Sequence, residues 1–420
     1  MPVAKWTGAP LGSVDGILRI LCLMGQNNYG DPKRGEGYEY STFLPALRAL
    51  GHEVLFFDTW DHSPYRNYGD LNTALLEKVA SAQPDLVLSV QMRYEVWLET
   101  WDAIRQSGAL AVNWAADDSW RYESFSRHLV GHLDLMVTTY RSALAKYVRD
   151  GHQNVLLSQW ATCAGAPPLS SDRCEFDISF VGTAHGRRRT MIEILRRAGL
   201  EVVCFGSGWP NGPVSRERLE WIIRNSRISL NFANTPHFSR IRTFEQEPQL
   251  KARTFEVPGC GGFLLTQNVR DLDRYLRLDS EVAAFDTLDE LINKARFYLA
   301  EPRERDRIAR AGYKRVVDEH TYESRFADVL KALPNSARGT SSSQPFGIDW
   351  GAHGRALERH RTTAGQVIPA KLLSALARLV LGARRGDRAA ERLLFELSWR
   401  IVGSGTYAAG GWPGRLYFHS

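Results

Sequence analysis

KARTFEVPGCGGFLLT, residues 251–266, runs from a charged helical stretch through a glycine turn into a buried apolar strand. Helical period over residues 250–257 and an unbroken apolar run over 263–266 set a helix and a strand back to back. Gly259, Gly261 and Gly262 allow close backbone approach between them. The same alternation extends in both directions. Around it, residues 177–181, 202–205, 228–232 and 282–285 read as short buried strands, with helical segments at 188–198, 216–225 and 288–299. Upstream lies a second set. Strands are expected at 17–24, 53–57, 85–90, 110–114 and 133–138, and helices at 38–50 (ended by Gly51), 71–82 and 96–106. Strand and helix in strict alternation imply parallel pairing with crossover helices, and the restart of the pattern implies two doubly wound α/β domains in tandem.

The domains are expected at residues 1–165 and 166–334, hinged in the Pro- and Ser-bearing stretch 163–175. Residues 335–350 include NSARGTSSSQPFG and read as a linker. Residues 351–420 form a basic tail, with a helix at 368–381 and another starting at Asp387 as N-cap. Two such domains place a ligand cleft at the facing carboxyl ends of their strands.

Charge narrows the function classes. The chain of 420 residues has a formal net charge of +6, but residues 351–420 hold eleven Lys or Arg against four Asp or Glu, so the rest sums to −1. A nucleic-acid partner for the whole chain is not supported. Five scattered cysteines without a C-x-x-C pair fit reduced thiols and offer neither a disulfide framework nor a zinc site. Residues 1–16 have no apolar core for a signal peptide, and no apolar run reaches the ~18 residues of a membrane span. The expected location is cytoplasmic, with a peripheral place on the inner membrane face left open for the tail.

Residue chemistry points to an anion. Lys251 and Arg253 suit a diphosphate, Arg through bidentate hydrogen bonds, and Glu256 suits a ribose diol. The plain alternative is a solvated charged helix ending at glycines. Asp117 and Asp118 follow a strand of the first domain, where one is expected to cap a helix and the other to act on substrate. Gly25 is a candidate for close backbone approach to the ligand, and Asn231 and Asn234 for hydrogen bonds to base or phosphate. Cys260 reads as small packing, His52 and His320 as structural, and Trp160 and Trp209 as core or stacking residues.

Several segments, in order, resemble the family of the spore maturation protein CgeB: NWAADDSW (113–120), DISFVGTAHGRRR (177–189), CFGSGW (204–209), KARTFEVPGCGG and LDELINKARFYLAEPRERDRIARAGYKRVVDEHTYESR (288–325). The resemblance covers residues 17–333 and implies a GT-B glycosyltransferase related to the large retaining group. It implies transfer of a sugar from a nucleotide-sugar donor, a UDP-sugar as first guess, to a glycan, lipid-linked or protein acceptor, without a catalytic metal. It places Glu256 on the donor ribose and Lys251 and Arg253 at the diphosphate. Gly182, Thr183 and Arg187 fall in a loop over the phosphates, and Asp117 or Asp118 at the transferred sugar. One position departs from the pattern. Many retaining relatives carry a second glutamate eight residues earlier, where this chain has Pro248, with Glu245 and Glu247 out of register. Two other readings stand beside this one: a nucleotide-sugar epimerase of the same fold, and a non-catalytic scaffold that recruits partners through its tail. For the tail itself, packing on the body, homodimer formation and membrane contact are all open.

Overall fold

The computed structural model describes residues 16–91, 93–163, 165–168, 174–233, 248–334, 346–360 and 364–412. The chain forms two compact units that do not follow chain order: residues 1–30, 47–158 and 328–420 make the first, and residues 31–46 and 159–327 the second.

The first unit is built on a six-stranded parallel sheet. Its strands are β1 (Arg19–Met24), β2 (Glu53–Asp58), β3 (Leu86–Ser89), β4 (Leu110–Ala115), β5 (Leu135–Thr138) and β6 (Val155–Leu157), in the order β2-β1-β3-β4-β5-β6. β3, β4 and β5 are buried along their whole length, which is why they read as unbroken apolar runs rather than alternating ones. The Tyr68–Ala82 helix starts where the Asn67 side chain accepts a bond from the Asp70 amide. It buries Leu71, Leu75, Leu76 and Val79 at helical spacing, each worth roughly 1.5–3 kcal/mol. It ends at Gln83 in the left-handed region. Among the elements absent from the sequence reading are β6, the Arg141–Arg149 helix and the Trp350–His360 helix.

The C-terminal helices belong to this unit. Trp350–His360 lays Ala356 against Tyr68, Tyr94 and Trp97. Ala364–Leu381 and Ala383–Val402 form a helical hairpin, followed by a 3-10 turn at Gly403–Tyr407. Tyr407 is buried, its ring against Phe125 and Phe395 and its hydroxyl donating to the Ser124 carbonyl. The Tyr94 hydroxyl donates to the Ala408 carbonyl at 2.9 Å. Part of the tail therefore completes the core of the first unit. The second tail helix begins at Ala383 after Gly382, whose φ is 78°, so Asp387 is not the expected N-cap. Instead its carboxylate accepts from Arg378 Nε at 2.7 Å and ties the hairpin together.

The second unit holds a five-stranded parallel sheet of β7 (Phe176–Val181), β8 (Val202–Phe205), β9 (Ser226–Asn231), β10 (Leu264–Gln267) and β11 (Ala283–Phe285), in the order β11-β10-β9-β7-β8. Its core gathers Ile178, Phe180, Leu230 and Leu265 from the strands and Phe232 just beyond β9, with Ile192, Leu195 and Leu291 from the helices. His320 closes the unit: one ring nitrogen lies 2.9 Å from the Tyr275 carbonyl, and the other accepts from Arg325 at 3.1 Å.

Candidate active site

The order of strands in the second unit determines where its ligand crevice opens. From β7 the chain crosses to β8 on one side and then returns to β9 on the other. The loops leaving β7 and β9 diverge, and such switch points at the carboxyl ends of parallel strands are where doubly wound sheets take ligands. The loop after β7 carries Gly182, Thr183, His185 and Arg187, and the Arg188–Arg197 helix follows. Arg188 spans the opening. Its guanidinium donates to the Thr183 carbonyl at 3.0 Å and to the Phe232 carbonyl beyond β9 at 3.1 Å, and it lies 5.5 Å from the Phe180 ring centroid. From the other side come Lys251 and the Arg253–Gly259 helix.

The electrostatics of this place are those of a site prepared for an anion. Burial, and after it the charge of Arg253, lower the Arg188 guanidinium to about 10. Burial, and after it Arg188 and Lys251, lower His185 to about 4. His185 is therefore neutral at pH 7. Glu256, 7% exposed, stands against them, with its Oε2 2.8 Å from an Arg253 terminal nitrogen. Behind Glu256 lie residues that sequence reasoning missed. The hydroxyls of Tyr38 and Tyr322 are 2.9 Å apart. Burial, then the Glu256 charge, hold the Tyr38 hydroxyl well above the usual phenol range. Arg216 is also within range of that charge and bonds to the Ser41 carbonyl at 3.4 Å. Mutually repelling cations held half-buried are stabilised by a polyanion that bridges them.

Several expected site residues have other work. Arg187 is exposed, and the inward-turning arginine is its neighbour Arg188. Gly182 is bound into the sheet end: its carbonyl accepts from Trp209 Nε1 at 2.8 Å and its amide donates to Phe205 at 2.9 Å. Thr183 is exposed and contributes its carbonyl to Arg188. Asn231 is buried and donates to Thr266 Oγ1 at 3.0 Å, joining β9 to β10. Gly261, at φ 78°, turns the chain where a Cβ would lie 2.7 Å from the Pro168 backbone nitrogen. At Gly262 a Cβ would collide with Ile223. Both glycines are thus required by the protein's own packing. Cys260 is buried with its thiol pushed up to about 12, which fits its reading as packing.

Gly25, Asp117 and Asp118 belong to the first unit. Gly25 follows β1 at the switch point between β1 and β3, but a Cβ there would lie 2.6 Å from the Trp60 ring, so an indole fills the space. Asp118 is 1% exposed and accepts from Thr138 at 2.7 Å, Tyr147 at 3.0 Å and Ser126. Burial raises its carboxyl to about 6 against the opposing pull of those hydroxyls. It is an enclosed carboxylate whose oxygens are taken by three hydroxyls. Asp117 occupies the N-cap position of the Asp118–Arg121 turn without a side-chain capping bond, and it is half-buried. Of the expected division into one capping and one working aspartate, the structure gives Asp117 the N-cap position without a capping bond and leaves Asp118 enclosed. Asn234, Glu245 and Glu247 lie outside the described residues.

Residues 187–331, which include Arg188 and the whole Lys251–Glu256 segment, match the family model described as glycosyl transferase-like. Among solved structures, the chain is similar to a sucrose-phosphate synthase from Thermosynechococcus elongatus, with 13% identity, a TM-score of 0.53, and 74% of this chain and 97% of the other covered. It is also similar to Anabaena HepE in complex with UDP (11% identity, TM-score 0.51, 75% and 100% covered). A glycosyltransferase from Rickettsia africae gives 10% identity, a TM-score of 0.51, and 77% and 100% coverage. No curated protein matches the sequence. Two parallel sheets flanked by helices in this arrangement make the fold GT-B, and with the matched domain they define the class: a glycosyltransferase.

Proposed function

We propose that the protein transfers a sugar from a nucleotide-sugar, a UDP-sugar in the first instance, to a glycan, lipid-linked or protein acceptor. The observation that carries this reading is the crevice of Arg188, Lys251, Arg253 and neutral His185 facing Glu256 at a switch point of the second unit. When the bond between the anomeric carbon and the diphosphate breaks, negative charge grows on the leaving group. Preplaced guanidinium and ammonium groups stabilise that charge more than they stabilise the ground state. In this account they supply the charge compensation, and the reaction needs no metal. Glu256 accepts from the two ribose hydroxyls, while Arg253 fixes the orientation of its carboxylate. The UDP seen with HepE, which shares the fold, favours a uridine donor. Asp117 is the candidate for the group acting on the transferred sugar, since Asp118 is enclosed. A retaining outcome and membership of the CgeB-like group rest on the sequence segments named above.

The test is turnover of UDP-sugars, read as release of UDP with and without added acceptors. UDP release by the native protein that falls at least about a hundredfold in Arg188→Met, with the fold retained, agrees with loss of a charge contact at the leaving group. Equal release by native and Arg188→Met protein, or none from any nucleotide-sugar, would contradict the reading. Conversion of the donor to an epimer without transfer would favour the epimerase instead.

A further inference from the structure

Among the described residues, the hairpin of Ala364–Leu381 and Ala383–Val402 is fixed to the first unit through its second helix. Phe395 packs against the core, Ser398 Oγ lies 2.9 Å from Thr406 Oγ1, and Glu391 pairs with Arg93 at 3.2 Å. The opposite character shows along the first helix. Leu372, Leu376, Leu379 and Val380, spaced i, i+4, i+7 and i+8, are 59%, 62%, 84% and 81% exposed. Leu393, Leu397 and Ile401 repeat an exposed stripe on the second helix. Large apolar side chains exposed repeatedly along two adjacent helices mark an interaction site.

The charges identify what covers it. Residues 364–402 hold seven Lys or Arg and three Asp or Glu. Each acid already has a basic partner: Asp387 with Arg378, Glu391 with Arg93 and Glu396 with Arg400. Lys371, Arg385 and Arg388 remain exposed on the same two helices. A symmetric pairing with a second copy would bring these like charges together, and a nucleic acid has no use for the leucine stripe. Apolar side chains bordered by uncompensated basic ones fit an interface with hydrocarbon beneath and phosphate above. Among the described residues no helix is long and apolar enough to cross a membrane, and the first helix of the hairpin contains Pro369. The geometry points to a surface anchor. We propose that this hairpin lies in the headgroup plane of an anionic bilayer, inserting Leu372, Leu376, Leu379 and Val380, with the arginines at lipid phosphates.

The inference stands apart from the transfer reaction, and its test does not use activity. The full chain is sedimented with vesicles of phosphatidylcholine alone or mixed with phosphatidylglycerol, at low and high salt. Partitioning onto the mixed vesicles is expected to exceed that onto phosphatidylcholine by at least about tenfold and to weaken with salt. Leu379→Asp/Val380→Asp and Arg385→Glu/Arg388→Glu are each expected to lower it by at least about tenfold, or about 1.4 kcal/mol, with unchanged circular dichroism and melting. Val380→Gln alone gives a milder probe should the paired aspartates disturb the hairpin. Partitioning that ignores lipid charge, or that survives both paired variants, overturns the proposal. So does a dimer in solution that Leu379→Asp/Val380→Asp converts to monomer without vesicle binding.

Discussion

Asp118 and Asp117 show how two adjacent carboxylates acquire different fates. The Asp118 carboxylate is the common acceptor for Ser126, Thr138 and Tyr147. Replacing it by alanine leaves three buried hydroxyls without that acceptor, a loss of about 1–3 kcal/mol. Asp118→Ala should therefore melt several degrees lower, at roughly 2–4 °C per kcal/mol for a unit of this size. Asp117→Ala should stay within about 0.5 kcal/mol of the native protein. Thermal melting of the two variants decides this, and equal losses would contradict it. His185 gives a signed pH dependence. Its folded-state value of about 4 lies below the ordinary 6.5, so between those values the folded protein binds fewer protons than the unfolded chain. Stability contributed by neutral His185 is present above pH 6.5 and is lost as pH falls towards 4. His185→Asn should flatten this part of the stability profile, measured by denaturant titration across that window. An unchanged slope would argue that His185 is not held among the cations.

At the scale of elements, the turn between the Arg253–Gly259 helix and β10 separates packing from ligand contact. A Cβ at Gly262 collides with the Ile223 side chain and lies 3.1 Å from Val257 Cγ1. Gly262→Ala should cost about 1–3 kcal/mol through overpacking and leave nucleoside-diphosphate affinity unchanged in the folded protein. A tenfold affinity loss at unaltered stability would return Gly262 to the ligand. Much of the fold was legible because buried parallel strands are short unbroken apolar runs between amphipathic helices, as at 263–266 and 202–205. Val155–Leu157 has only three residues, and the Arg141–Arg149 helix has only nine, of which Ala143 and Tyr147 are buried, so each offers a short signal. The site was legible where it is local: Arg253 and Glu256, three apart, meet on one helical turn. Arg188 was hidden within the run Arg187-Arg188-Arg189, where tertiary placement alone decides which arginine turns inward. The misassigned Asp387 has a local cause, since the helix starts earlier at a glycine with positive φ.

At the scale of the molecule, the C-terminal segment is both core and surface. Tyr407, Ala409 and Ala356 are buried among residues of the first unit. Deleting residues 351–420 uncovers Trp97, Tyr94 and Phe125 and should give an aggregating or strongly destabilised protein, checked by solubility and melting. A stable, monodisperse truncation would contradict the packing described. The second unit bears the central claim, that its cationic crevice with Glu256 is the nucleotide site. Loss of a charge-assisted hydrogen bond weakens binding by roughly 1.5–3 kcal/mol, and each decade of affinity is about 1.4 kcal/mol. The most direct measurement is calorimetric titration of the full chain with UDP, for the native protein and for Glu256→Gln with its fold verified. The expected result is saturable binding by the native protein, weakened by about one to two orders of magnitude in the variant. Identical affinities, or no binding by the native protein, would contradict the account.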